Sequence, residues 1–302
     1  MTNTTDCGPT TDYGMKGMRK FATMIAFAAI AAPVTAFAQD LGRNEEVWTW
    51  NGRVASGAWF RLSSVNGPVT VEASPDNMVH VRAEKIVRRG SVTDVAFQVI
   101  QSGGDVRICA LWRRDYCDEQ GSRSRGNNDD DDRNDRRDVQ VRFTARVPAG
   151  VRAGVGTVNG DMRVRNLTSD VRASTVNGAV EVLDVGGEVR ASTVNGGVEV
   201  TTRNGPVNAS TVNGNVDVRM RSLGRPGEMK FTTVNGSVTV EAPAGLDAEV
   251  DMETMHGSIS SDYPVQITGR FGPKSARGTI GRGGRRIEME TLNGSIELRK
   301  AR

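Results

Sequence analysis

A four-residue phrase, Thr-Val-Asn-Gly, recurs along the chain at a nearly constant interval. The first three steps between copies are 18 residues long, and later steps lengthen to 22, 21 and 37 residues. A fixed period of about 20 residues indicates a repeat architecture, in which neighbouring units bury each other. Identical copies begin at Thr157, Thr175, Thr193, Thr211 and Thr233, and looser copies begin at Ser64, Thr254 and Thr291.

One repeat, residues 171–188 (VRASTVNGAVEVLDVGGE), contains two short strands and two turns. Apolar and polar residues alternate before Asn177-Gly178 and again after it, and Gly186-Gly187 ends the second stretch. Strands of this length cannot bury their valine faces alone, so the repeats must stack. Aromatic residues are only 5% of the chain, so valine and other small apolar residues supply the core, which is typical of an all-β protein.

Two ways of stacking fit this pattern. In a hairpin meander, Asn-Gly is a two-residue turn that pairs Thr175 with Val180. In a β-solenoid, each repeat is one coil, and equivalent strands pair in parallel at about 4.8 Å spacing. The solenoid accounts for the strict period and encloses the valines in a continuous core, whereas the meander needs a second layer. We therefore predict an all-β fold, a β-solenoid resembling a parallel β-helix, in which successive coils of about 18–22 residues stack.

The Asn-Gly pairs are predicted to form one corner of each coil. Stacked asparagine side chains can donate to one neighbour and accept from the other, and glycine provides the positive φ of a tight turn. A repeated ligand-binding or ice-binding row is the alternative, but such a row must be flat and regular, and the later spacing is irregular. The predicted asparagine ladder is Asn159, Asn177, Asn195, Asn213, Asn235 and Asn293, and the corner glycines are Gly160, Gly178, Gly196, Gly214, Gly236 and Gly294.

Residues 1–38 have the pattern of a secretory signal peptide. Residues 18–20 (MRK) form a basic start, residues 21–37 a mainly apolar stretch, and residues 36–38 (AFA) a small-x-small cleavage site before Gln39. The apolar stretch is short for a membrane span and contains Pro33, so we expect no stable membrane anchor after cleavage. Residues 1–17 are polar, which makes Met18 or Met15 an alternative start of translation. The pattern predicts a periplasmic or extracellular protein.

Two cysteines remain after the predicted cleavage, Cys109 and Cys117. In an oxidising compartment an even pair of cysteines predicts a disulfide. A zinc site is not expected, because two cysteines without a further matching pair cannot complete a tetrahedral site. Nearby, Asp129 to Asp132 lack the alternating ligands, central glycine and closing glutamate of an EF-hand loop, so calcium is not expected either. We predict no metal and no cofactor.

The rest of the chain divides by composition. Residues 39–117 read as short strands of an N-terminal β region of the solenoid, and residues 139–302 as the repeat solenoid. Between them, residues 118–138 (DEQGSRSRGNNDDDDRNDRRD) contain no apolar residue and predict a disordered charged loop. The aromatic residues of the N-terminal region are predicted to cap the first coil, since solenoid ends must be covered; ligand stacking is the alternative. They are Trp48, Trp50, Trp59 and Phe60.

One column of the predicted solenoid carries carboxylates that could do chemistry. Glu181, Glu199 and Asp217 occupy equivalent positions in three successive repeats and should point outward on adjacent coils. Close like charges raise the pKa of at least one member or attract a cation, and paired carboxylates serve glycoside-cleaving enzymes. The simpler interpretation, which we prefer, is a solvated acidic stripe neutralised by arginines. The arginines expected to neutralise it are Arg172, Arg190 and Arg219.

The repeats, together with the segment before them, resemble a known family. Units of the form TVNGxVxV, preceded by VRFTARVPAGVRAGVGTVNGDMRV (141–164) and a signal peptide, look like the bacterial DUF4097 family, described as a putative adhesin. The resemblance covers roughly Trp48 to Leu298 apart from the charged loop, and it implies a β-solenoid similar to the head domains of autotransporter-like adhesins. It carries over no catalytic residues. The departures are the insertion with Cys109 and Cys117 and the replacement of asparagine by His256 in the ladder.

These observations predict a non-enzymatic, exported cell-envelope protein that presents an adhesin-like β-solenoid surface to an unknown envelope or surface ligand, a protein or a glycan. The 39 basic and 36 acidic residues are interspersed, so a nucleic-acid partner is not expected. The alternatives are a carbohydrate-active β-helix enzyme that uses the acidic column, and a purely structural or envelope-stress component without a ligand.

Overall fold

Each sequence repeat contributes one strand to each of two long sheets, because apolar residues alternate on both sides of the Asn-Gly corner. In residues 171–188, β12 (Val171–Ser174) and β13 (Val180–Val185) lie before and after the corner. Their parallel partners come from the next repeat: β14 (Val189–Ser192) and β15 (Val198–Thr202). This is the geometry of a β-solenoid, and the predicted all-β solenoid is confirmed.

The structure is a computed structural model that describes residues 42–112, 115–118, 121–124, 138–224, 227–269 and 272–301, all within one compact unit. In the N-terminal region the strands are β1 (Val47–Gly52), β2 (Trp59–Ser63), β3 (Val69–Ala73), β4 (Val79–Arg89), β5 (Val95–Ser102), β6 (Asp105–Trp112), β7 (Asp115–Asp118), β8 (Gly121–Ser124) and β9 (Asp138–Val147), with a 3-10 turn at Val92–Asp94. The remaining strands of the regular part are β10 (Arg152–Gly156), β11 (Met162–Arg165), β16 (Val207–Ser210) and β17 (Val216–Met220). Those of the C-terminal part are β18 (Met229–Asn235), β19 (Val238–Ala242), β20 (Ala248–His256), β21 (Ile259–Ser261), β22 (Gln266–Thr268), β23 (Lys274–Ile280), β24 (Arg286–Asn293) and β25 (Ile296–Lys300).

The two sheets face each other across the core. Sheet I holds 12 of the described strands in the order β22-β23-β20-β24-β18-β16-β14-β12-β10-β2-β6-β5. Sheet II holds 11 in the order β1-β4-β9-β3-β11-β13-β15-β17-β19-β25-β21. Inward side chains of successive strands form columns, such as Val171, Val189 and Val207 in sheet I, which are fully buried. Burying one valine contributes about 1.5 kcal/mol or more, so the columns are the main source of stability.

At the C-terminal end the coils do not stack in sequence order. The coil of β24 and β25 lies between the coil of β18 and β19 and the coil of β20 and β21. The segment that precedes β24 contains β22 and β23, which pair antiparallel with each other, and β23 also pairs antiparallel with β20. This hairpin covers a strand edge of sheet I that would otherwise be open to pairing.

The N-terminal end is rearranged in a similar way. The coil of β2 and β3 lies between the coil of β6 and β9 and that of β10 and β11. Antiparallel strands then close both sheets: β5 on β6 in sheet I, and β4 on β9 with β1 on β4 in sheet II.

Aromatic side chains cover this end, as predicted, with one exception. Trp48 stacks on Phe97 with ring centroids 4.7 Å apart, and Phe97 meets Phe143 edge-on at 5.8 Å. Phe60 is fully buried in the core. Trp59 differs, because adjacent residues of a strand point to opposite faces, and it therefore lies on the outer face of sheet I beside outward-pointing arginines.

The charged insertion leaves the solenoid at the Asn-Gly corner. It follows β6 of sheet I and precedes β9 of sheet II, where the neighbouring coil has residues 64–68 between β2 and β3. Cys109 and Cys117 form a disulfide at its start. Within the segment predicted to be disordered (118–138), Gly121–Ser124 instead form β8, which pairs with β7; residues 125–137 lie outside the described residues.

The predicted signal peptide, residues 1–38, also lies outside the described residues and stays a prediction. In the part of the chain that the structure describes, no helix is long and apolar enough to cross a membrane.

Candidate functional site

The Thr-Val-Asn-Gly corner is held together by its threonine. The Thr193 hydroxyl donates to the carbonyl oxygen of Gly178, one coil away, at 2.9 Å, and the side chain is 5% exposed. Thr211 repeats the contact with Gly196 at 2.9 Å. A buried hydroxyl costs free energy unless it is hydrogen-bonded, so the threonine both fills the corner and fastens adjacent coils.

The predicted asparagine ladder is confirmed. In each step the side-chain amide of one asparagine donates to the side-chain oxygen of its neighbour, for example Asn195 to Asn177 at 2.8 Å. The ladder does not follow sequence order at its C-terminal end, because Asn293 donates directly to Asn235 at 2.8 Å and His256 pairs beyond Asn293. Its members in spatial order are Asn159, Asn177, Asn195, Asn213, Asn235 and Asn293.

The corner glycines are required by their surroundings. Gly178 has φ 150°, and a Cβ placed there would lie 2.3 Å from the carbonyl oxygen of Gly160. Such an overlap is with backbone, so a larger residue would push the coils apart. The same contact with the preceding coil recurs at Gly160, Gly196, Gly214, Gly236 and Gly294. Threonine, asparagine and glycine of the corner phrase thus all have structural roles.

The valine of the phrase points outward, which the sequence interpretation did not identify. Val176 is 38% exposed, as are the equivalent valines of other coils, and the equivalent Leu292 and Met255 are 43% exposed. The signal was present, because the buried threonine and the valine after it are adjacent and must face opposite sides. The row consists of Val158, Val176, Val194, Val212, Val234, Leu292 and Met255.

The acidic column lies on the outer face of sheet II. Glu181, Glu199 and Asp217 are in register on adjacent strands. Glu181 accepts a hydrogen bond from Arg163 at 2.6 Å and another from Arg165 at 3.2 Å. Glu181, together with Glu199, which lies 3.6 Å from Arg219, therefore forms part of a surface ion-pair network.

Two of the three arginines expected to neutralise this column do not reach it. Arg219 does, with an N–O distance of 3.6 Å to Glu199. Arg172 and Arg190 are on β12 and β14 and belong to sheet I, so that part of the prediction is wrong. The reason is the corner: residues before it build sheet I and residues after it build sheet II.

An open groove of about 1140 Å³ runs along the outer face of sheet I. Two outward columns line it, because outward positions alternate along each short strand. The first column is mostly cationic, and the second consists of small hydroxyl-bearing residues and one glycine. The first column contains Arg107, Arg61, Gly154, Arg172, Arg190, Asn208, Lys230 and Glu288, and the second Ser63, Gly156, Ser174, Ser192, Ser210 and Thr232.

The groove differs in charge along its length. At the end near β2 and β6, burial lowers the pKa of Arg107, and the neighbouring charge of Arg61 lowers it further. At the end near β18 and β24, Lys230 donates to Glu288 at 2.7 Å, and this hydrogen bond raises the pKa of Lys230. Glu290, 3.1 Å from Lys230, has a raised pKa, chiefly because of its hydrogen bond with Glu288.

Sequence reasoning missed the groove, although the repeat contains its signal. The segments VRAS (171–174), VRAS (189–192) and VNAS (207–210) place Arg or Asn second and Ser fourth, alternating with buried residues. The outward-pointing residues of the strand that precedes the corner therefore indicate both columns, just as those of the strand that follows it indicate the acidic column. Within the described residues, no group of three or more His, Cys, Asp or Glu side chains could hold a metal ion.

Comparison with known proteins places the repeat region in a family. Residues 152–299 match the model of the family Toastrack DUF4097, which confirms the resemblance seen in the sequence. No curated protein matches the chain. Similar solved structures include a putative cell adhesion protein from Clostridium sporogenes (11% identity, TM-score 0.32, 84% of this chain and 100% of that chain covered) and a putative adhesin from Bacteroides fragilis (9%, 0.36, 84% and 97%).

Proposed function

Starting from the membership of residues 152–299 in the DUF4097 family, we propose that the protein is a non-enzymatic, exported cell-envelope protein. It presents its β-solenoid as a binding surface, in the manner of an adhesin, to a glycan of the envelope or of another cell surface. Export is supported by the basic-apolar-small pattern of residues 1–38 and by the disulfide, a bond typical of oxidising compartments.

The observation that carries this proposal is the groove on sheet I. It spans the outer faces of strands from β6 to β24, and its walls offer guanidinium groups and hydroxyls along a straight, rigid surface. An extended polymer can lie in such a groove and contact several coils at once, and many weak contacts along one chain add up to useful affinity.

The carbohydrate-active enzyme is the alternative, and the acidic column does not favour it. Glu181 is held by two arginines, Arg163 and Arg165, and Glu199 lies beside Arg219. Carboxylates fixed in ion pairs on an open sheet face lack the enclosed, water-poor surroundings in which an acid is tuned for catalysis.

Binding to immobilised polysaccharides extracted from bacterial envelopes tests the proposal. Ser192→Trp places a large side chain in the groove and is expected to lower binding at least about tenfold, equivalent to about 1.4 kcal/mol. Thr239→Trp, on the outer face of sheet II, is the matched control and should bind like the native chain. Equal binding by both variants would show that the groove is not the surface used.

The same preparations separate binding from turnover. We expect no release of reducing ends from any bound polysaccharide, and no effect of replacing Glu181, Glu199 and Asp217 by their amides. Cleavage that disappears in the amide variant would establish the enzyme instead. Export is checked separately by the N-terminal sequence of the secreted protein, expected to begin at Gln39.

A further inference from the structure

We propose that the end of the groove near β2 is an anion-binding site that holds the acidic sugar of a glycan, while neutral sugars follow the serine column. This deepens the proposed binding function and depends on it. The site is formed by Arg61, Arg152 and Arg172, gathered around the indole ring of Trp59, and by the bare groove floor at Gly156.

Three guanidinium groups converge on one aromatic ring. The guanidinium carbons of Arg172, Arg152 and Arg61 lie 4.7, 4.8 and 5.2 Å from the centroid of Trp59. Trp59 is 7% exposed, so the arginines cover it. Each cation–π contact is favourable, but three positive charges so close together repel one another, and this repulsion is relieved when an anion joins them.

The carboxylate already present does not balance the cluster. Asp105 accepts hydrogen bonds from the backbone nitrogen of Trp59 at 2.8 Å and from Arg61. Burial raises the pKa of Asp105, but the two hydrogen bonds and the positive charges of Arg61 and Arg152 together lower it below its ordinary value, so this carboxylate is charged at neutral pH. Among the described residues, no ion pair joins a carboxylate to Arg152 or Arg172, and the single negative charge of Asp105 stands against the three positive charges of the cluster.

The groove floor leaves room for a ligand beside these arginines. Gly156 points outward on β10, where both neighbouring coils have serine, and it does not have a positive φ. A Cβ at Gly156 would meet nothing closer than the Ser174 hydroxyl at 3.6 Å, so the backbone does not require glycine there. The space is flanked by the hydroxyls of Ser63 and Ser174, which can both donate to and accept from sugar hydroxyls.

The charges farther along the groove select a glycan over a uniformly charged polymer. Arg190 is paired with Glu188 at 2.7 Å, and Lys230 with Glu288 at 2.7 Å. A phosphate backbone laid along the groove would meet these carboxylates, whereas neutral sugars would not. A single carboxylate at the arginine end matches the planar guanidinium fork, which binds carboxylates through two parallel hydrogen bonds.

Titration of the protein with D-glucuronate and, as its neutral match, D-glucose tests the charge preference. The readout is the NMR signals of the arginine Nε–H groups and of the Trp59 indole. Glucuronate is expected to shift the signals of Trp59 and Arg172 and to bind at least about tenfold more tightly than glucose, with an affinity that falls as salt is added. Inorganic sulfate is the second probe and should bind more weakly than glucuronate.

Two variants assign the site. Arg172→Gln is expected to lower glucuronate affinity about tenfold, whereas Arg163→Gln, a surface arginine on sheet II, should leave it unchanged. Gly156→Val fills the floor without changing any charge, and its β-branched side chain suits a strand; it should weaken binding of the envelope polysaccharide. Thermal unfolding of each variant checks that the solenoid is intact.

The outcomes separate this inference from the proposed function. Four outcomes would each overturn the acidic-sugar site. The first two are equal affinities for glucuronate and glucose, and a higher affinity for sulfate than for glucuronate. The others are equal glucuronate affinities of Arg172→Gln and Arg163→Gln, and a higher affinity for a DNA duplex than for the polysaccharide. If polysaccharide binding nevertheless remains sensitive to Ser192→Trp, the groove stands as a binding surface without it. Loss of polysaccharide binding altogether removes both.

Discussion

The middle coils and the two ends of the solenoid are built by different rules. From β10 to β17 every coil contacts the next coil of the sequence, and ladder partners such as Asn195 and Asn177 are 18 residues apart. At the ends, equivalent contacts join distant residues: Asn293 to Asn235 across 58 residues, and Thr157 to Gly67 across 90 residues. The hydrogen bonds of the corner are the same in both regions, but at the ends they join residues that are far apart in the sequence.

The difference decides whether a further coil can stack on the solenoid. A run of identical coils can be lengthened without limit, and each added coil offers an open edge to the next. The ends of this protein insert a coil out of order and then close sheet edges with antiparallel strands, β4 and β5 at one end and β23 at the other. Antiparallel closure stops the parallel pattern, and covered edges do not pair with other chains.

The largest expected effect is an all-or-none result that depends on the order of the coils at the C-terminal end. Thr239 and Glu297 are neighbours in the register of β19 and β25, and Ser260 lies on the far side of Glu297. We expect Thr239→Cys with Glu297→Cys to form a disulfide, because adjacent strands are about 4.8 Å apart. Thr239→Cys with Ser260→Cys should not, because the two are about 10 Å apart. Mass spectrometry of non-reduced peptides measures this, and the reverse result would restore sequence order.

A large effect is expected from crowding one corner in the middle. A Cβ at Gly196 would lie 2.1 Å from the Gly178 carbonyl oxygen, and Gly196 has φ 151°. We expect Gly196→Ala to lower the free energy of unfolding by about 3 kcal/mol or more. The adjacent Gly197→Ala is the control, since its Cβ would meet only the Asn215 carbonyl at 3.6 Å, and it should change stability by less than about 1 kcal/mol. Urea unfolding midpoints measure both; equal midpoints would contradict the close-approach argument.

An intermediate effect should be confined to the N-terminal end. Cys109 and Cys117 tie β6 to the start of the insertion. Replacing both with alanine is expected to lower stability by about 2 kcal/mol, because the disulfide restricts the unfolded chain. Hydrogen exchange should increase in β5 to β8 and remain unchanged in β12 to β15. Uniformly faster exchange would mean that the ends and the middle unfold as one unit, which would contradict a local effect at the N-terminal end.

The smallest loss of stability is expected from replacing single asparagines of the ladder. Asn195 donates to Asn177 and accepts from Asn213, whereas Asn159, the first member of the ladder, accepts from Asn177. Asn195→Ala should therefore cost about 1–2 kcal/mol and Asn159→Ala about half of that, since each net hydrogen bond contributes about 0.5–1.5 kcal/mol. Thermal unfolding of both variants gives the ratio; equal losses would show that the side-chain bonds are not what the ladder contributes.

The repeat allowed the middle to be predicted almost completely. Val171 and Val180 alternate with polar residues, and Asn177-Gly178 fixes the corner, so the strand positions follow from local pattern alone. The order of the end coils could not be predicted in this way. Asn235, Asn293 and His256 sit in the same corner phrase, and nothing in a phrase shared by all coils says which coil will be its neighbour.

The groove was missed for a related reason. The prediction that Arg172 and Arg190 share an outer face with Glu181 is wrong because they precede the corner and Glu181 follows it. Trp59 was grouped with Phe60, although adjacent strand residues face opposite ways. Alternation along a strand predicts that a side chain points outward. The position of the residue before or after the corner predicts which of the two sheets carries it. Both pieces of information are needed before a binding surface can be drawn.

The stacked corner also bears on how the protein ages chemically. In an Asn-Gly pair, the glycine nitrogen can attack the asparagine side chain and convert it to a succinimide and then to an acid, so asparagine is counted among the thermolabile residues. Here the Gly178 nitrogen donates to the Asn195 backbone carbonyl at 2.9 Å, and the Asn177 side chain is held on both sides by its neighbours. Neither group can reach the geometry of attack while the coils are stacked. A corner that opens becomes a site of deamidation, and the resulting charge would prevent the ladder from closing again, so chemical decay of this protein should start where the stack frays.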